Sequence, residues 1–158
     1  MRAILSVQTG KPVPDFEATA TQGTVRLSAL RGKKLVLYFY PKDNTPGCTT
    51  EAGEFRDQHK HFVKHGAVIL GVSRDSVRSH EGFRTKLELP FDLISDADEV
   101  LCEQFGVMKL KNMYGKQVRG VERSTFLIDA QGCLLREWRG VKVAGHVEEV
   151  LAAVTQAD

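Results

Sequence analysis

The chain has 158 residues, of which 42% are hydrophobic and 27% are charged, and its 22 basic and 20 acidic residues leave a net charge of +2. This composition is typical of a globular protein and argues against disorder. So balanced a charge also argues against nucleic acid and against a membrane surface as partners. The length predicts one compact domain over residues 1–158.

The N-terminal stretch and the cysteines indicate the compartment. The sequence has no apolar run of roughly 18 residues, and the short apolar stretch near its start lacks the features of a signal peptide. The three cysteines, Cys48, Cys102 and Cys133, are odd in number and far apart, which fits neither a disulfide framework nor a zinc site. We therefore expect a cytoplasmic protein whose cysteines are either buried core residues or reactive thiols.

Apolar runs bounded by turn residues divide the chain into alternating strands and helices. The runs LVLYFY at 35–40 and AVILGVS at 67–73 are continuously apolar, as in strands buried on both faces. The predicted strands are 16–20, 24–27, 35–40, 67–73, 91–94, 124–129 and 133–138, and the predicted helices are 48–64, 76–87, 99–105 and 145–156. This order predicts an α/β protein with a thioredoxin-like fold: a central mixed β-sheet flanked by helices, with an N-terminal β-hairpin extension and an antiparallel hairpin near the C-terminus.

Cys48 follows Pro46 and Gly47 and opens the predicted helix 48–64. The unpaired N–H groups of a first helical turn and the positive end of the helix dipole favour an anion there. They favour the thiolate, which is the nucleophilic form of cysteine. The preceding loop is polar, so we expect the sulfur to be accessible. Position alone supports a buried, inert cysteine equally well.

Four neighbours have side chains suited to assist a thiolate at Cys48. Thr45 lies three residues earlier, so its hydroxyl can orient an oxygen substrate near the sulfur. Pro41 ends a strand and can shield the thiolate from water. Arg123 stands just before a predicted strand and offers permanently charged donors to an anion, with Glu51 as a partner in the first helical turn. The alternatives are ordinary turn chemistry for Thr45 and Pro41 and a solvated side chain for Arg123.

The same residues carry a resemblance to a known family. Pro41, Thr45 and Cys48 match the pattern P-x-x-x-T/S-x-x-C of the peroxiredoxins, and the segment ERSTFLIDAQG, which contains Arg123, follows at the matching place. Together with GVSRDSVRSHEGF and PFDLISDADEVLCEQFGV, these motifs make residues 10–151 resemble the branch of the bacterioferritin comigratory protein, also called peroxiredoxin Q.

The resemblance implies a thiol peroxidase that reduces hydrogen peroxide and organic hydroperoxides without metal, haem or other cofactor. Cys48 matches the peroxidatic cysteine, whose thiolate attacks a peroxide oxygen and becomes a sulfenic acid. Thr45 and Arg123 match the residues that polarise the peroxide, Pro41 matches the shielding proline, and Glu51 is the supporting residue. Two other functions stay open: a disulfide oxidoreductase, which would need a cysteine in place of Thr45, and a non-enzymatic binding module.

A resolving cysteine is missing from its usual places. Many members of the branch carry it five residues after the first cysteine, where this chain has Gly53, and others carry it in the next helix, around Phe83. We therefore expect a one-cysteine cycle in which an external thiol, either glutathione with glutaredoxin or thioredoxin, reduces the sulfenic acid on Cys48. A two-cysteine cycle through Cys102 or Cys133 is the alternative, although both resemble structural or incidental cysteines.

The histidine spacings do not predict a metal site. We expect the five histidines to lie in solvent or partly in the core: His59, His61, His65, His80 and His146. No apolar stripe in the sequence argues against a monomer, and we expect one.

Overall fold

The computed structural model describes residues 7–157, apart from the side chain of Met113. Residues 1–6, on which the expected lack of a signal peptide partly rests, lie outside the described part. The strands are β1 (Glu17–Ala20), β2 (Gly23–Arg26), β3 (Lys34–Phe39), β4 (Ala67–Ser73), β5 (Asp92–Ser95), β6 (Met108–Met113), β7 (Lys116–Val121), β8 (Ser124–Ile128) and β9 (Leu134–Arg139). The helices are α1 (Pro46–Asp57), α2 (His59–Lys64), α3 (Val77–Leu87), α4 (Val100–Gln104) and α5 (His146–Gln156), with a 3-10 helix at Leu27–Leu30.

Seven strands form one mixed sheet in the order β2-β1-β5-β4-β3-β8-β9. β3, β4 and β5 run parallel, whereas β8 is antiparallel to β3 and β9 is antiparallel to β8. The N-terminal hairpin β1–β2 joins the sheet where Ala20 pairs with Ile94. This is the predicted arrangement of strands. None of the helices in the described part of the chain has the length and apolar character of a bilayer span.

Alternate residues of β3 face two hydrophobic cores, one on each side of the sheet. Leu35, Leu37 and Phe39 belong to the core that α4 covers. Val36 and Tyr38 belong to the core that α1, α2, α3 and α5 cover. Because both faces are buried, the strand reads as a continuous apolar run. The sheet therefore separates the side chains of α1 from those of α4.

The predicted helix 48–64 is wrong in two respects. The helix begins two residues earlier, at Pro46, because a proline fits the first helical position, where no N–H is needed. It also breaks into α1 and α2 at Gln58, whose backbone has φ −99° and ψ 3°. Neither proline nor glycine stands at the break, and nothing in the structure explains it.

The hairpin β6–β7 is absent from the elements predicted from the sequence, which include none in residues 106–123. Met113 pairs with Lys116, so the turn consists of Tyr114 and Gly115, both with positive φ (54° and 79°). A two-residue turn of this kind matches the twist of the flanking strands and favours glycine. The alternating residues of the segment KLKNMYGKQVRG and its central glycine were the available signal.

Candidate active site

Cys48 lies in the first turn of α1. Thr45 is the N-cap, with an extended backbone (φ −89°, ψ 154°), and Pro46 takes the first helical position. The N–H groups of this turn point out of the helix end and favour a negative charge near the sulfur. The residue is only 2% exposed, because the start of α1 packs on the sheet as part of the core on that face. The expectation of an accessible sulfur is therefore wrong for this conformation.

Strand pairing brings Arg123 to the same end of the sheet. Ser124, the first residue of β8, lies opposite Phe39, the last residue of β3, so Arg123 stands where the loop to α1 begins. Its Nη2 lies 3.5 Å from the Sγ of Cys48. A Cβ on Gly47 would lie 3.1 Å from that nitrogen, so the glycine leaves room for the guanidinium. A charged donor beside the sulfur stabilises the thiolate.

Glu51 holds the other branch of the same guanidinium. Its Oε1 accepts a hydrogen bond from Nη1 of Arg123 at 2.6 Å, and the carboxyl is fully buried. Its Oε2 has no hydrogen-bond partner among the described residues. Burial raises the pKa of Glu51 to about 7 against the attraction of Arg123. The predicted place of Glu51 in the first helical turn is wrong, because α1 begins at Pro46.

Arg123 keeps its charge in this half-buried place. Burial opposes the charge, but the carboxylate of Glu51 and the sulfur of Cys48 outweigh it and raise the pKa of Arg123 above its usual value. One cation thus faces two groups that can be anionic. The geometry can stabilise a thiolate and can donate hydrogen bonds to an oxygen that approaches it.

Thr45 and Pro41 lie in the loop between β3 and α1. The hydroxyl of Thr45 donates to the carbonyl of Lys42 at 2.8 Å and does not cap the helix. Because its one hydrogen is engaged, the hydroxyl can only accept from an incoming hydroperoxide in this conformation. Pro41 follows the buried Tyr40 and is itself half-buried.

Two histidines, His80 and His146, are more deeply buried than their sequence predicts. His80, in α3, is fully buried, and its Nδ1 lies 2.8 Å from the carboxylate of Asp43. His146 is 3% exposed and lies 2.8 Å from the hydroxyl of Thr125, and burial lowers the pKa of His146 to about 4. The expectation of solvent or partial-core roles is wrong for both. His80 shares the buried face of α3 with Phe83, three residues on, and this helical spacing was the available signal.

Cys102 lies on the other side of the sheet from Cys48. It is fully buried in α4, in the core opposite to that of α1. Burial and then Asp96 raise the pKa of its thiol well above the usual range, so this thiol does not ionise near neutral pH. Such a cysteine behaves as a small apolar residue.

Cys133 lies at the opposite end of the sheet from Cys48. It is half-buried and free, and it precedes Leu134, which pairs with Ile128 at the far end of β8 from Arg123. At about 3.3 Å per residue, a strand of this length separates the two ends by about 16 Å. A disulfide needs Cα atoms within about 7 Å.

Fold and site together define a class of protein. A thioredoxin-like sheet with a cysteine at the start of the helix after β3, and an arginine held beside its sulfur, is the architecture of the peroxiredoxins. A solved structure of the bacterioferritin comigratory protein of Xanthomonas campestris is similar to this chain with a TM-score of 0.88 and 49% sequence identity, covering 99% of both chains. The predicted fold class is confirmed.

The chain belongs to the AhpC/TSA family, whose model matches residues 9–136. It is 53% identical over 148 residues to peroxiredoxin Bcp of Bacillus subtilis, covering 93% of this chain and 94% of that protein. It is 58% identical over 134 residues to peroxiredoxin Bcp of Xanthomonas campestris, covering 85% of this chain and 82% of that protein. The resemblance to this branch of the peroxiredoxins is confirmed.

Proposed function

We propose that this chain, a thiol-dependent peroxidase, reduces hydrogen peroxide and organic hydroperoxides at Cys48 and relies on a thiol from another molecule to complete its cycle. The observation that carries the proposal is the position of Arg123, whose guanidinium lies 3.5 Å from the Sγ of Cys48 and 2.6 Å from the carboxylate of Glu51. The solved Xanthomonas campestris structure concerns alkyl peroxide reduction by that protein, which supports organic hydroperoxides as substrates here.

The peroxidatic step needs only side chains of this chain. The thiolate of Cys48 attacks one peroxide oxygen and the O–O bond breaks. The second oxygen leaves with the bonding electron pair, takes the proton of the attacked hydroperoxide or of water, and departs as water or an alcohol, and the sulfur becomes a sulfenic acid or its anion. Arg123 donates to the oxygens as charge develops, Thr45 accepts from the hydroperoxide, and Pro41 shields the sulfur from water. Glu51 orients Arg123, and we propose no metal or other cofactor.

The resolving step uses an external thiol. Gly53 occupies the position at which many relatives carry a resolving cysteine, and residues 79–83 contain no cysteine. Cys102 is across the sheet and Cys133 is at its far end. A thiol therefore condenses with the sulfenic acid of Cys48 to give a mixed disulfide and water, and a second thiol releases Cys48. Glutathione with glutaredoxin, or thioredoxin, has this chemistry.

Compartment and oligomeric state complete the proposal. All three cysteines are free, as expected of a protein in the reducing cytoplasm. Among the described residues, the exposed large apolar side chains Val63, Val100 and Leu135 lie on separate elements, and Leu110 and Val118 lie on opposite faces of the hairpin β6–β7, which supports a monomer. A disulfide oxidoreductase on this fold would need a second cysteine near Cys48, and the positions of Cys102 and Cys133 disfavour it.

The test combines activity with mass mapping. Thiol-dependent peroxide consumption should be lost in Cys48→Ser and fall about a hundredfold in Arg123→Ala, as when one charged donor to a transition state is removed. Full activity of Cys48→Ser would refute the site. After one equivalent of peroxide, mass spectrometry should show a sulfenic acid, or a mixed disulfide with added thiol. An intramolecular disulfide from Cys48 to Cys102 or Cys133 would refute reduction by an external thiol. Cys133→Ser is the matched control, because it should give the same products at Cys48 as the parent protein.

A further inference from the structure

A buried charged pair joins the loop before Cys48 to α3. The Nδ1 of the fully buried His80 lies 2.8 Å from Oδ2 of Asp43, and its Nε2 lies 2.9 Å from the carbonyl of Ile94. The Asp43 carboxylate also accepts from the hydroxyls of Tyr40 at 2.6 Å and Ser79 at 2.8 Å. A carbonyl and a carboxylate can only accept, so both ring nitrogens of His80 carry hydrogen and the ring is a cation.

The charge on Asp43 follows from the same contacts. Burial alone would raise the pKa of Asp43, but the hydrogen bonds, first that of His80 and then that of Tyr40, hold it below its usual value. The carboxyl is therefore an anion that is almost completely buried. It forms a salt bridge with His80. The two ring N–H groups of His80 and the hydroxyls of Tyr40 and Ser79 each have an acceptor.

Asp75 extends the cluster and raises the question of a metal ion. Among the described residues, Asp43, Asp75 and His80 place three potential ligand atoms within 4.8 Å of one another. Hydrogens already fill this space, because Oδ2 of Asp75 accepts from the N–H of Asp43 at 2.9 Å and from the hydroxyl of Ser73 at 2.5 Å. The doubly protonated His80 offers no lone pair. The cluster is a hydrogen-bond network and not a coordination site.

The network fixes the loop that carries Thr45. Asp43 is held through both its side chain and its N–H. The next residue, Asn44, has left-handed backbone (φ 66°), a conformation that persists in residues other than glycine where the surroundings determine it. Thr45 follows as the N-cap of α1, with its hydroxyl bonded to Lys42 on the other side of Asp43. The position of Thr45 thus depends on where Asp43 is held.

A buried ion pair contributes little stability by itself, because the loss of hydration offsets most of its attraction. A fully bonded network instead selects one conformation of the segments that it connects. We propose that the Asp43–His80 pair is a positioning element of the peroxide site, which holds the loop between β3 and α1 so that Thr45 and the first turn of α1 meet an incoming peroxide. The inference rests on the proposed function of Cys48.

The test compares two reactions of Cys48 in His80→Gln. Oxidation by hydrogen peroxide depends on the alignment of the oxygen by Thr45, whereas alkylation by iodoacetamide needs only a thiolate that the reagent can reach. A glutamine brings no cation and cannot reach Asp43 and the Ile94 carbonyl together. We expect the second-order rate of peroxide oxidation to fall about tenfold or more and that of alkylation to change by less than about threefold. Amide exchange of residues 42–45 should become faster.

The matched control is Asp96→Asn. Asp96 is also buried, and it accepts from the N–H groups of Leu101 and Cys102 at the start of α4, which covers the other face of the sheet from α1. Both reactions of Cys48 should keep their wild-type rates in this variant. If Asp96→Asn loses as much of the rate of peroxide oxidation as His80→Gln does, again without loss of the alkylation rate, the inference is overturned. The slower oxidation in His80→Gln would then result from general destabilisation.

Further outcomes also decide the inference. Equal loss of both rates in His80→Gln, or loss of neither, overturns it. If His80→Gln does not fold, Ser79→Ala, which removes one donor to Asp43, takes its place. In Ser79→Ala, a loss of about threefold confined to the rate of peroxide oxidation supports the positioning role, and no loss overturns it. A metal ion in the native mass spectrum that His80→Gln removes also overturns it. An inactive wild type would refute the proposed function itself, whereas an active wild type with unaffected variants would refute only the positioning role.

Discussion

Replacing Glu51 tests the electrostatics of the site most directly. Its carboxyl is 0% exposed, one oxygen lies 2.6 Å from Nη1 of Arg123, and the other has no partner among the described residues. Burial, against the attraction of Arg123, raises the pKa of Glu51 from 4.5 to about 7. Glu51→Gln keeps the shape of the side chain and removes its titration, so comparison with the parent protein isolates this one carboxyl.

The sign and size of the effect follow from linkage. Because the pKa is higher in the folded state than in the unfolded chain, the folded protein retains a proton that the unfolded chain releases. The free energy of unfolding therefore falls as the pH rises from about 4.5 to about 7 and is level above that. Each pH unit is worth about 1.4 kcal/mol, so Glu51 should cost the folded protein about 3 kcal/mol across this window.

The assay is urea unfolding at about pH 5, 6, 7 and 8, with Cys48→Ser in both proteins to prevent oxidation. From pH 5 to pH 7, the free energy of unfolding with Glu51 should fall relative to that of Glu51→Gln by about 2 kcal/mol, with unchanged urea dependence. A difference that does not vary with pH would refute the reasoning. A difference that grows in favour of Glu51 as the pH rises would show that Arg123, and not burial, governs the carboxyl.

Three other substitutions test separate features of the site. Tyr38→Phe removes a buried hydroxyl that has no partner among the described residues. The free energy of unfolding from thermal melts should therefore be unchanged or rise by up to about 1 kcal/mol. Clear destabilisation would show that the hydroxyl is hydrogen-bonded. Arg123→Lys keeps the charge but loses the fork that reaches Glu51 and Cys48 together, so stopped-flow oxidation by peroxide should slow by about tenfold or more; a wild-type rate would show that charge alone suffices. A cysteine fits at position 53, because the nearest atom to a new Cβ is 3.5 Å away on Arg56. After treatment of Gly53→Cys with peroxide, peptide mass maps should show a disulfide between the new cysteine and Cys48. Five residues of helix rise about 7.5 Å, so this bond requires the start of α1 to unwind, and its absence would show that the helix stays closed.

The central sheet could be predicted because its signal is local. β3 and β4 are continuous apolar runs between turn residues, and burial on both faces leaves no other pattern for them. The break at Gln58 could not be predicted, because no residue there opposes a helix. The hairpin β6–β7 was missed because its residues are mostly exposed, and an exposed hairpin shows a weaker hydrophobic alternation than a half-buried strand.

Parts of the site could likewise be predicted from the sequence, and other parts could not. Cys48 and Thr45 lie within one short loop and turn, so their proximity is a property of the sequence. The contact of Arg123 with the sulfur depends on the register of β8 against β3, which a single sequence does not determine. The burial of His80 and its pairing with Asp43 depend on how α3 packs. The expectation of an accessible sulfur failed for the same reason, because tertiary packing covers the start of α1.

The positions of the three cysteines determine how the loop before α1 has to behave in the proposed cycle. A two-cysteine cycle would require α4 to carry Cys102 through the sheet, or β8 to lose its pairing with β3 so that Cys133 could travel its length. In the proposed cycle, the resolving thiol therefore arrives from outside, at the end of the sheet where Cys48 and Arg123 meet. Cys48 is only 2% exposed, so a thiol on another protein needs a wider opening than a small peroxide does. On both proposals together, oxidation benefits from a loop that Asp43 and His80 hold in place, whereas reduction requires that loop or the first turn of α1 to move.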